Sequence, residues 1–402
     1  MVKLGVIKEG KVPQDVRVPL IPEHLAELVA NYPEFEVKVE HSDSRCYKDT
    51  EYQQHGIDVE EDVSSADILL GVKEVPIPTL LADKTYLFFS HTIKKQPYNR
   101  KLLQEILKKN ITLLDYEVLT DTSGVRIVAF GRYAGIVGAY NGLLTYGKKY
   151  QSFNIRRAHE CFDFNDLANE YQKILLPPIK IVLTGSGRVA NGACEVLDGA
   201  EIKKVSPEDF LNNTYDEAVY TQLFPEHYNQ HKEGLAYTDE HFFANPTEYK
   251  SSFLPYTKVA DMLIAGAYWD PKAPVLFTKE DVKSPEFKIR VIADITCDIE
   301  GSVPTTLRAT TIAEPFYDYD RKALQEVKPF SFDENITVMS IDNLPNELPR
   351  NASHDFSEQL TSKVLPSFVT GDKEGVLERA TITKNGKLTE RFTYLQDYVD
   401  GK

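Results

Sequence analysis

The segment from Ile179 to Leu197 constrains this chain more than any other. Ile179-Lys-Ile-Val-Leu-Thr184 is an apolar run of strand length, Gly185-Ser-Gly-Arg-Val-Ala-Asn-Gly192 follows without a break, and Ala193–Leu197 continues as a helix. A Gly-rich turn from strand into helix lets backbone N–H groups approach a pyrophosphate at the positive end of the helix. Gly185 suits the tight turn and Gly187 the close approach, with Ala190 in the third fingerprint position. Ser186, Arg188 and Val189 complete the loop as candidate cofactor contacts. Tight turns need glycine for packing alone, so the turn by itself leaves a bland role open; the strand before it and the helix after it favour dinucleotide binding. The next strand pattern, Ile202–Val205, ends at Ser206, where a NAD site places Asp or Glu on the ribose hydroxyls. Glu208 and Asp209 stand slightly beyond, so the reading is NAD or NADP, with NADP favoured.

The rest of the chain repeats the strand–helix alternation. Leu4–Ile7, Phe35–Val39, Ile68–Val72, Tyr86–Phe89 and Ile111–Leu114 read as strands, with helices at His24–Ala30 and Lys101–Lys109. Tyr133–Tyr150 reads as a long apolar connecting helix, and Arg156–Ile174 as a second helix stopped by Pro177-Pro178. Met262–Ala267, Val291–Ile295 and Val338–Ile341 supply further strands, while 206–258 reads as an elaborated crossover. The tail opens with a helix, Ser353–Leu365, and has too little apolar content to stand alone. The expected fold is α/β: two Rossmann-like parallel-sheet domains with a cleft between them, the first discontinuous. Residues 1–145 plus 345–402 form the expected substrate domain, and 146–344 the dinucleotide-binding domain.

Composition removes several classes of function. Lys+Arg 46 against Asp+Glu 61 gives a net charge of −15 over 402 residues, which disfavours binding to nucleic-acid phosphates. No run of 18 apolar residues argues for a membrane span. The start, Met-Val-Lys-Leu-Gly-Val-Ile-Lys, goes straight into a strand pattern without a secretory signal, which predicts a cytoplasmic protein. Cys46, Cys161, Cys194 and Cys297 are scattered and lack metal-ligand spacing, so structural thiols and no metal are expected.

Charged residues recur at predicted strand ends. Lys73 and Glu74 follow Ile68–Val72, and His91 follows Tyr86–Phe89, trailed by Lys94, Lys95 and Gln96. Parallel sheets bind ligands at the carboxyl ends of their strands, so a Lys and a His delivered there make a workable acid–base pair. A solvated lysine and a turn histidine would give the same pattern. Arg17, in Gln-Asp-Val-Arg-Val-Pro-Leu, could fork onto a carboxylate, and Arg126 and Arg132 flank an apolar turn with the same two readings.

Several stretches together make the chain recognisable. Asp15-Val-Arg-Val-Pro-Leu-Ile-Pro22, Gly71-Val-Lys-Glu-Val-Pro76, Phe88-Phe-Ser-His-Thr-Ile-Lys94 and Leu114-Asp-Tyr-Glu117 lie in the first third. Leu183-Thr-Gly-Ser-Gly-Arg-Val, Leu263-Ile-Ala-Gly-Ala-Tyr-Trp269, Ala293-Asp-Ile-Thr-Cys-Asp298 and Ser340-Ile-Asp-Asn-Leu-Pro-Asn-Glu-Leu-Pro-Arg350 lie further on. With these the chain resembles the lysine–ketoglutarate reductase / saccharopine dehydrogenase group of the alanine dehydrogenase superfamily, nearest to the reductase half of the bifunctional animal and plant proteins. The resemblance implies an oxidoreductase interconverting saccharopine with lysine and 2-oxoglutarate through an imine, with NAD or NADP. It matches Lys73 and His91 to the family's acid–base pair, and Arg17, Lys94, Gln96, Glu117 and Arg126 to its substrate pocket. Ala265, Gly266, Asp294 and Asp298 fall in segments near the cofactor. Lys95 adds a cation beside the pocket, and Arg132 stands where relatives often carry a neutral side chain. The alternatives are an alanine- or ornithine-type amino-acid dehydrogenase or opine synthase, and a non-catalytic dinucleotide-binding protein. Partners are then small molecules, with a homo-oligomer left open.

Overall fold

One register row explains why the first sheet gathers its chemistry at one edge. Strands β1 (Val2–Val6), β2 (Phe35–Glu40), β3 (Asp58–Glu60), β4 (Ile68–Leu70), β5 (Thr85–Phe88) and β6 (Thr112–Asp115) lie parallel in the order β6-β5-β4-β1-β2-β3. Val6 pairs with Leu70, Leu70 with Leu87 and Leu87 with Leu114, so the carboxyl ends of four adjacent strands are flush. β4, near the middle, is buried at every residue, as expected where both faces are covered, while β2 alternates buried and half-buried positions. The helix Pro22–Asn31 starts with proline, whose missing N–H costs nothing there, and buries Leu25 and Leu28.

The tail belongs to this sheet. The computed structural model describes residues 1–402, and the chain divides into two units, Met1–Phe130 with Pro349–Lys402, and Gly131–Leu348. Thr381–Lys384 pairs antiparallel with β6 and turns back through Lys387–Leu388. The helix Pro349–Lys363 crosses over the β1 exit: Ser353 Oγ accepts the Val18 N–H at 2.9 Å, and Ser357 Oγ accepts that of Ile21 at 3.1 Å. Phe356 of this helix stacks on Phe130 with centroids 4.2 Å apart.

The second unit holds its own eight-stranded sheet. β7 (Lys180–Thr184), β8 (Lys203–Lys204), β9 (Val219–Leu223), β12 (Met262–Ala265), β13 (Val291–Asp294) and β16 (Ile336–Met339) run parallel. A hairpin of β14 (Phe316–Asp320) and β15 (Gln325–Val327) closes one edge antiparallel, giving β15-β14-β16-β13-β12-β7-β9-β8. A small separate hairpin, β10 (Asn229–His231) with β11 (Tyr249–Ser251), lies in the connection after β9. The core is built from the inner strands and from Phe253, Phe277, Phe287 and Tyr317.

Three sequence expectations change here. The helix Gly131–Tyr150 falls in the second unit, so the division lies after Phe130 and Leu348 rather than near 145 and 345. This helix crosses Arg188–Gly199 at backbone contact: a Cβ on Gly135 would lie 1.8 Å from the Val189 carbonyl, and one on Gly192 2.1 Å from that of Arg132. The stretch 156–174 is not one helix but three short turns. Asp163 leaves the helical region to cap Phe164–Ala168, while the Arg156 guanidinium folds the segment onto Asp166 (2.7 Å) and Glu170 (2.8 Å). Finally, 206–258 is more than a crossover, because it contributes β9, a strand next to β7.

Candidate active site

Four strand ends in a row deliver charged groups. After β1 come Glu9, Asp15 and Arg17; after β4, Lys73 and Glu74; after β5, His91; after β6, Glu117. The Glu9 carboxylate accepts the amide N–H groups of Val72 (2.6 Å) and Lys73 (2.9 Å), fixing the turn that carries Lys73. Burial and then the neighbouring Asp15 charge push Glu9 up to about 7. Lys73 is moved the other way, down to about 8, by burial and then by the Arg17 cation.

Arg17 is buried and held in place. Its Nε and a terminal nitrogen donate to the two oxygens of Asp15 at 2.9 and 2.5 Å, and its guanidinium lies 4.2 Å over the Phe130 ring. The tail helix therefore supports Arg17 through the Phe130–Phe356 stack. Arg126 donates from Nε to the Val128 carbonyl at 2.9 Å and lies 5.4 Å over Phe89.

His91 sits in the left-handed region (φ 54°), a strained position for a histidine, with its ring stacked on Phe89. Its Nδ1 lies 3.2 Å from Glu117 Oε2, and Lys94 Nζ reaches Glu117 Oε1 at 3.0 Å. Glu74 Oε1 is 3.9 Å from Nε2, while its other oxygen pairs with Lys11 at 2.7 Å. Burial opposes the Glu117 charge, but the His91 hydrogen bond and charge with Lys94 outweigh it and hold the carboxyl near 2. Glu117 is thus an acceptor for a proton on Nδ1, a nitrogen that the Lys94 ammonium also approaches at 3.3 Å, while Nε2 is left for another partner. Beneath it, buried Asp115 accepts from the amides of Ser90 (3.0 Å) and Glu117 (2.7 Å) and from the Ser90 hydroxyl. Burial and the Glu117 charge raise Asp115 to about 6.

Gln96 does not join this group by its side chain, which accepts from Tyr98, and its carbonyl accepts from Tyr398 at 2.5 Å. Lys95 points its ammonium at the Tyr394 ring, 5.3 Å away. Arg132 forms a fork on Glu195 (2.8 and 2.7 Å) within the second unit. Sequence reasoning did not single out Glu9, Asp15, Glu74 or Asp115 as site members. The strand-end rule that flagged Lys73 and His91 applies equally to Glu9, Glu74 and Asp115, whereas Asp15 lies further along the loop after β1.

In the second unit the Gly-rich loop has the form a pyrophosphate requires. Gly185 takes φ +115°, Gly187 caps the Arg188–Gly199 helix, and a Cβ built on Gly187 meets no atom within 4 Å. Ser186, Gly187 and Arg188 are exposed at that helix start, with Val189 half-buried behind them. The residues present therefore fit a dinucleotide. Ala265 and Gly266 close the neighbouring strand end, Gly266 donating to the Thr184 carbonyl at 3.1 Å. Asp294 is fully buried and turned inward, accepting from Thr306 Oγ1 (2.6 Å) and from Thr296 Oγ1 (2.7 Å) and N–H (3.1 Å); burial raises it to about 6. It shapes the loop that carries exposed Asp298.

Ser206 moves out of the position assigned to it. β8 is the outermost strand, with β9 between it and β7, and the Ser206 hydroxyl caps the helix Pro207–Asn212 through Asp209. The one group with three metal-type ligand atoms within 4.8 Å is His231, His241 and Glu248 at the small hairpin. His231 Nδ1 accepts the Glu233 amide at 3.2 Å, so Nε2 carries the proton and faces Glu248 at 3.3 Å. That is a donor aimed at a carboxylate.

Two largely parallel sheets, each in its own unit, one with a strand-end Lys/His/carboxylate group and one with a strand–Gly-loop–helix turn, define an α/β protein with Rossmann-like units. Residues 5–137 match the family model for the alanine dehydrogenase/PNT N-terminal domain. Along most of its length the chain is homologous to α-aminoadipic semialdehyde synthases and saccharopine dehydrogenases. It is 33% identical to the mitochondrial α-aminoadipic semialdehyde synthase of Mus musculus, over 94% of this chain and 46% of that protein. It is 28% identical to the Neurospora crassa saccharopine dehydrogenase [NAD(+), L-lysine-forming], over 88% of this chain and 87% of that one. The chain thus spans about half the length of the first of these relatives and most of the second. An L-alanine dehydrogenase structure superposes with TM-score 0.64 at 16% identity, covering 100% of this chain and 99% of its own. The transhydrogenase from Sinorhizobium meliloti gives 0.61 at 15% identity, covering 96% and 98%. These two likenesses establish the fold. No helix is long and apolar enough to cross a membrane.

Proposed function

We propose that the chain is a nicotinamide-dependent oxidoreductase that interconverts saccharopine with L-lysine and 2-oxoglutarate. The observation that carries this reading is the row Glu9–Lys73–His91–Glu117 on flush strand ends, with Lys73 near pKa 8. The two kinds of relative named above, whose printed names concern saccharopine and α-aminoadipic semialdehyde, support the substrate class.

The chemistry needs proton transfer at two different atoms. Joining the lysine ε-amine to the keto carbon passes through a carbinolamine, whose hydroxyl leaves as water to give an imine. Lys73 Nζ, able to hold or release a proton near neutrality, serves that dehydration and its reversal. His91 Nε2 hands a proton to, or takes it from, the secondary amine nitrogen, while Glu117 keeps Nδ1 engaged. Arg17, Arg126 and Lys94 supply cations for the substrate carboxylates. The dinucleotide, when held by Gly185–Val189, supplies or accepts the hydride. Gln96 and Asp298 act by shaping the loops at the two strand ends.

The test is to mix the protein with lysine, 2-oxoglutarate and NADH or NADPH and follow cofactor oxidation. Pyruvate with ammonia and pyruvate with ornithine are the competing mixtures. Oxidation in the lysine mixture, cut strongly by Lys73→Met with dinucleotide affinity intact, is the expected result. Activity confined to a pyruvate mixture overturns the substrate assignment.

A further inference from the structure

We infer that Glu226 reads the adenosine ribose of the cofactor, so that the second unit selects NAD(H) over NADP(H). The inference rests on the proposal that this unit binds a dinucleotide, and it reverses the preference drawn from Ser206.

Position is the first argument. In a nucleotide-binding sheet the ribose is reached from the end of the strand adjacent to the one entering the glycine turn. Counting along the sequence makes that strand β8, but the sheet makes it β9. β9 pairs with β7 over its whole length, from Lys180 opposite Val219 to Thr184 opposite Leu223. Its end is fastened to the loop itself: the Gly185 N–H donates to the Leu223 carbonyl at 2.8 Å, and Gln222 Nε2 donates to the Gly185 carbonyl at 3.0 Å. Three residues on, in the single turn Pro225–Tyr228, stands Glu226.

Chemistry is the second. Glu226 is exposed, and its carboxylate makes no hydrogen bond or ion pair within the chain, so both oxygens can accept from a vicinal diol. A 2′-phosphate at the same place would set a charge of about −1.5 to −2 against that carboxylate. Lys204, the cation on the neighbouring strand, donates to the neutral Gln222 side chain at 2.8 Å, which positions its ammonium without cancelling its charge. An acidic residue in a first helical turn also has an ordinary role, favouring the positive helix end. That role predicts a slight stability change on substitution and no change in cofactor ratio.

Affinities for NADH and NADPH are measured separately on the full-length protein, by nicotinamide fluorescence, for wild type, Glu226→Gln, Glu226→Arg and Ser206→Arg, with circular dichroism as the check on folding. Wild type is expected to bind NADH at least about tenfold more tightly than NADPH, a difference in binding free energy readily resolved. Glu226→Gln should weaken NADH about tenfold and strengthen NADPH by relieving the repulsion of its 2′-phosphate, Glu226→Arg should reverse the order, and Ser206→Arg should leave the ratio as it is. Where Glu226→Arg does not fold, Glu226→Gln decides. Equal or tighter NADPH binding by wild type, or a ratio that moves with Ser206 and not with Glu226, overturns the inference while leaving dinucleotide binding intact. Failure of wild type to bind either dinucleotide removes the underlying reading of this unit together with the inference.

Discussion

The Glu9 carboxylate accepts the backbone N–H of Lys73 at 2.9 Å, tying the exit of β1 to the exit of β4. This one bond links two residues 64 positions apart and places the candidate acid–base lysine within the field of Arg17 and Asp15. Its neighbours determine what pH should do to the protein.

Imine hydrolysis needs a base, and Lys73 becomes one as it loses its proton. The rate of saccharopine cleavage should therefore rise with pH through about 8. Removing the Arg17 cation relieves its repulsion of the Lys73 ammonium, so Arg17→Met should move this limb to higher pH while also raising KM. Lys73→Met should abolish the limb. A pH–kcat profile for each variant is the measurement, and an unmoved limb in Arg17→Met separates the two residues electrostatically.

Glu9 should leave a signature in stability. Its pKa is raised from 4.5 to about 7 in the folded chain, so the folded state binds the extra proton and is favoured at low pH. That contribution is complete below about 4.5 and fades as pH rises through about 7. Glu9→Gln cannot ionise and can accept only one of the two amides, so it should be less stable than wild type at pH 5. The gap should narrow by pH 8, as read from thermal melts across that range.

Gly135→Ala tests the helix crossing in the second unit. The added methyl would sit 1.8 Å from the Val189 carbonyl, so a backbone must shift rather than a side chain. Overpacking of this kind costs about 1–3 kcal/mol and can exceed that where backbone is met. Urea denaturation should report a loss at or above the top of this range. The displaced Val189 carbonyl belongs to the first turn of the loop helix, so dinucleotide affinity should fall as well.

Local pattern was enough for the strand–Gly–helix turn at 180–199, because a strand-length apolar run and a glycine at positive φ leave few alternatives. It also placed Lys73 and His91 at strand ends, since both directly follow apolar runs, without deciding between a site and a solvated turn. Arg156–Ile174 was misread because its periodicity is helical while the Arg156 pairs with Asp166 and Glu170 compete for the segment. The short β3 and the edge hairpin β14–β15 went unseen, being stabilised by sheet neighbours rather than by pattern. The Arg17 support is likewise invisible in sequence, since Phe130 and Phe356 are 226 residues apart.

What the sequence determined alone is the set of parts: alternating strands and helices, a phosphate-type turn, cations at strand ends within an acidic chain. Each depends on interactions spanning a few residues, which periodicity and turn chemistry express directly. Tertiary structure alone decided which strands are neighbours. It set β9 between β7 and β8, so that the strand beside the glycine turn is β9 and not the one that ends at Ser206, and it tied Glu9 to the Lys73 amide. Strand order is fixed by burial and hydrogen-bond pairing across the whole sheet, which a linear pattern does not encode.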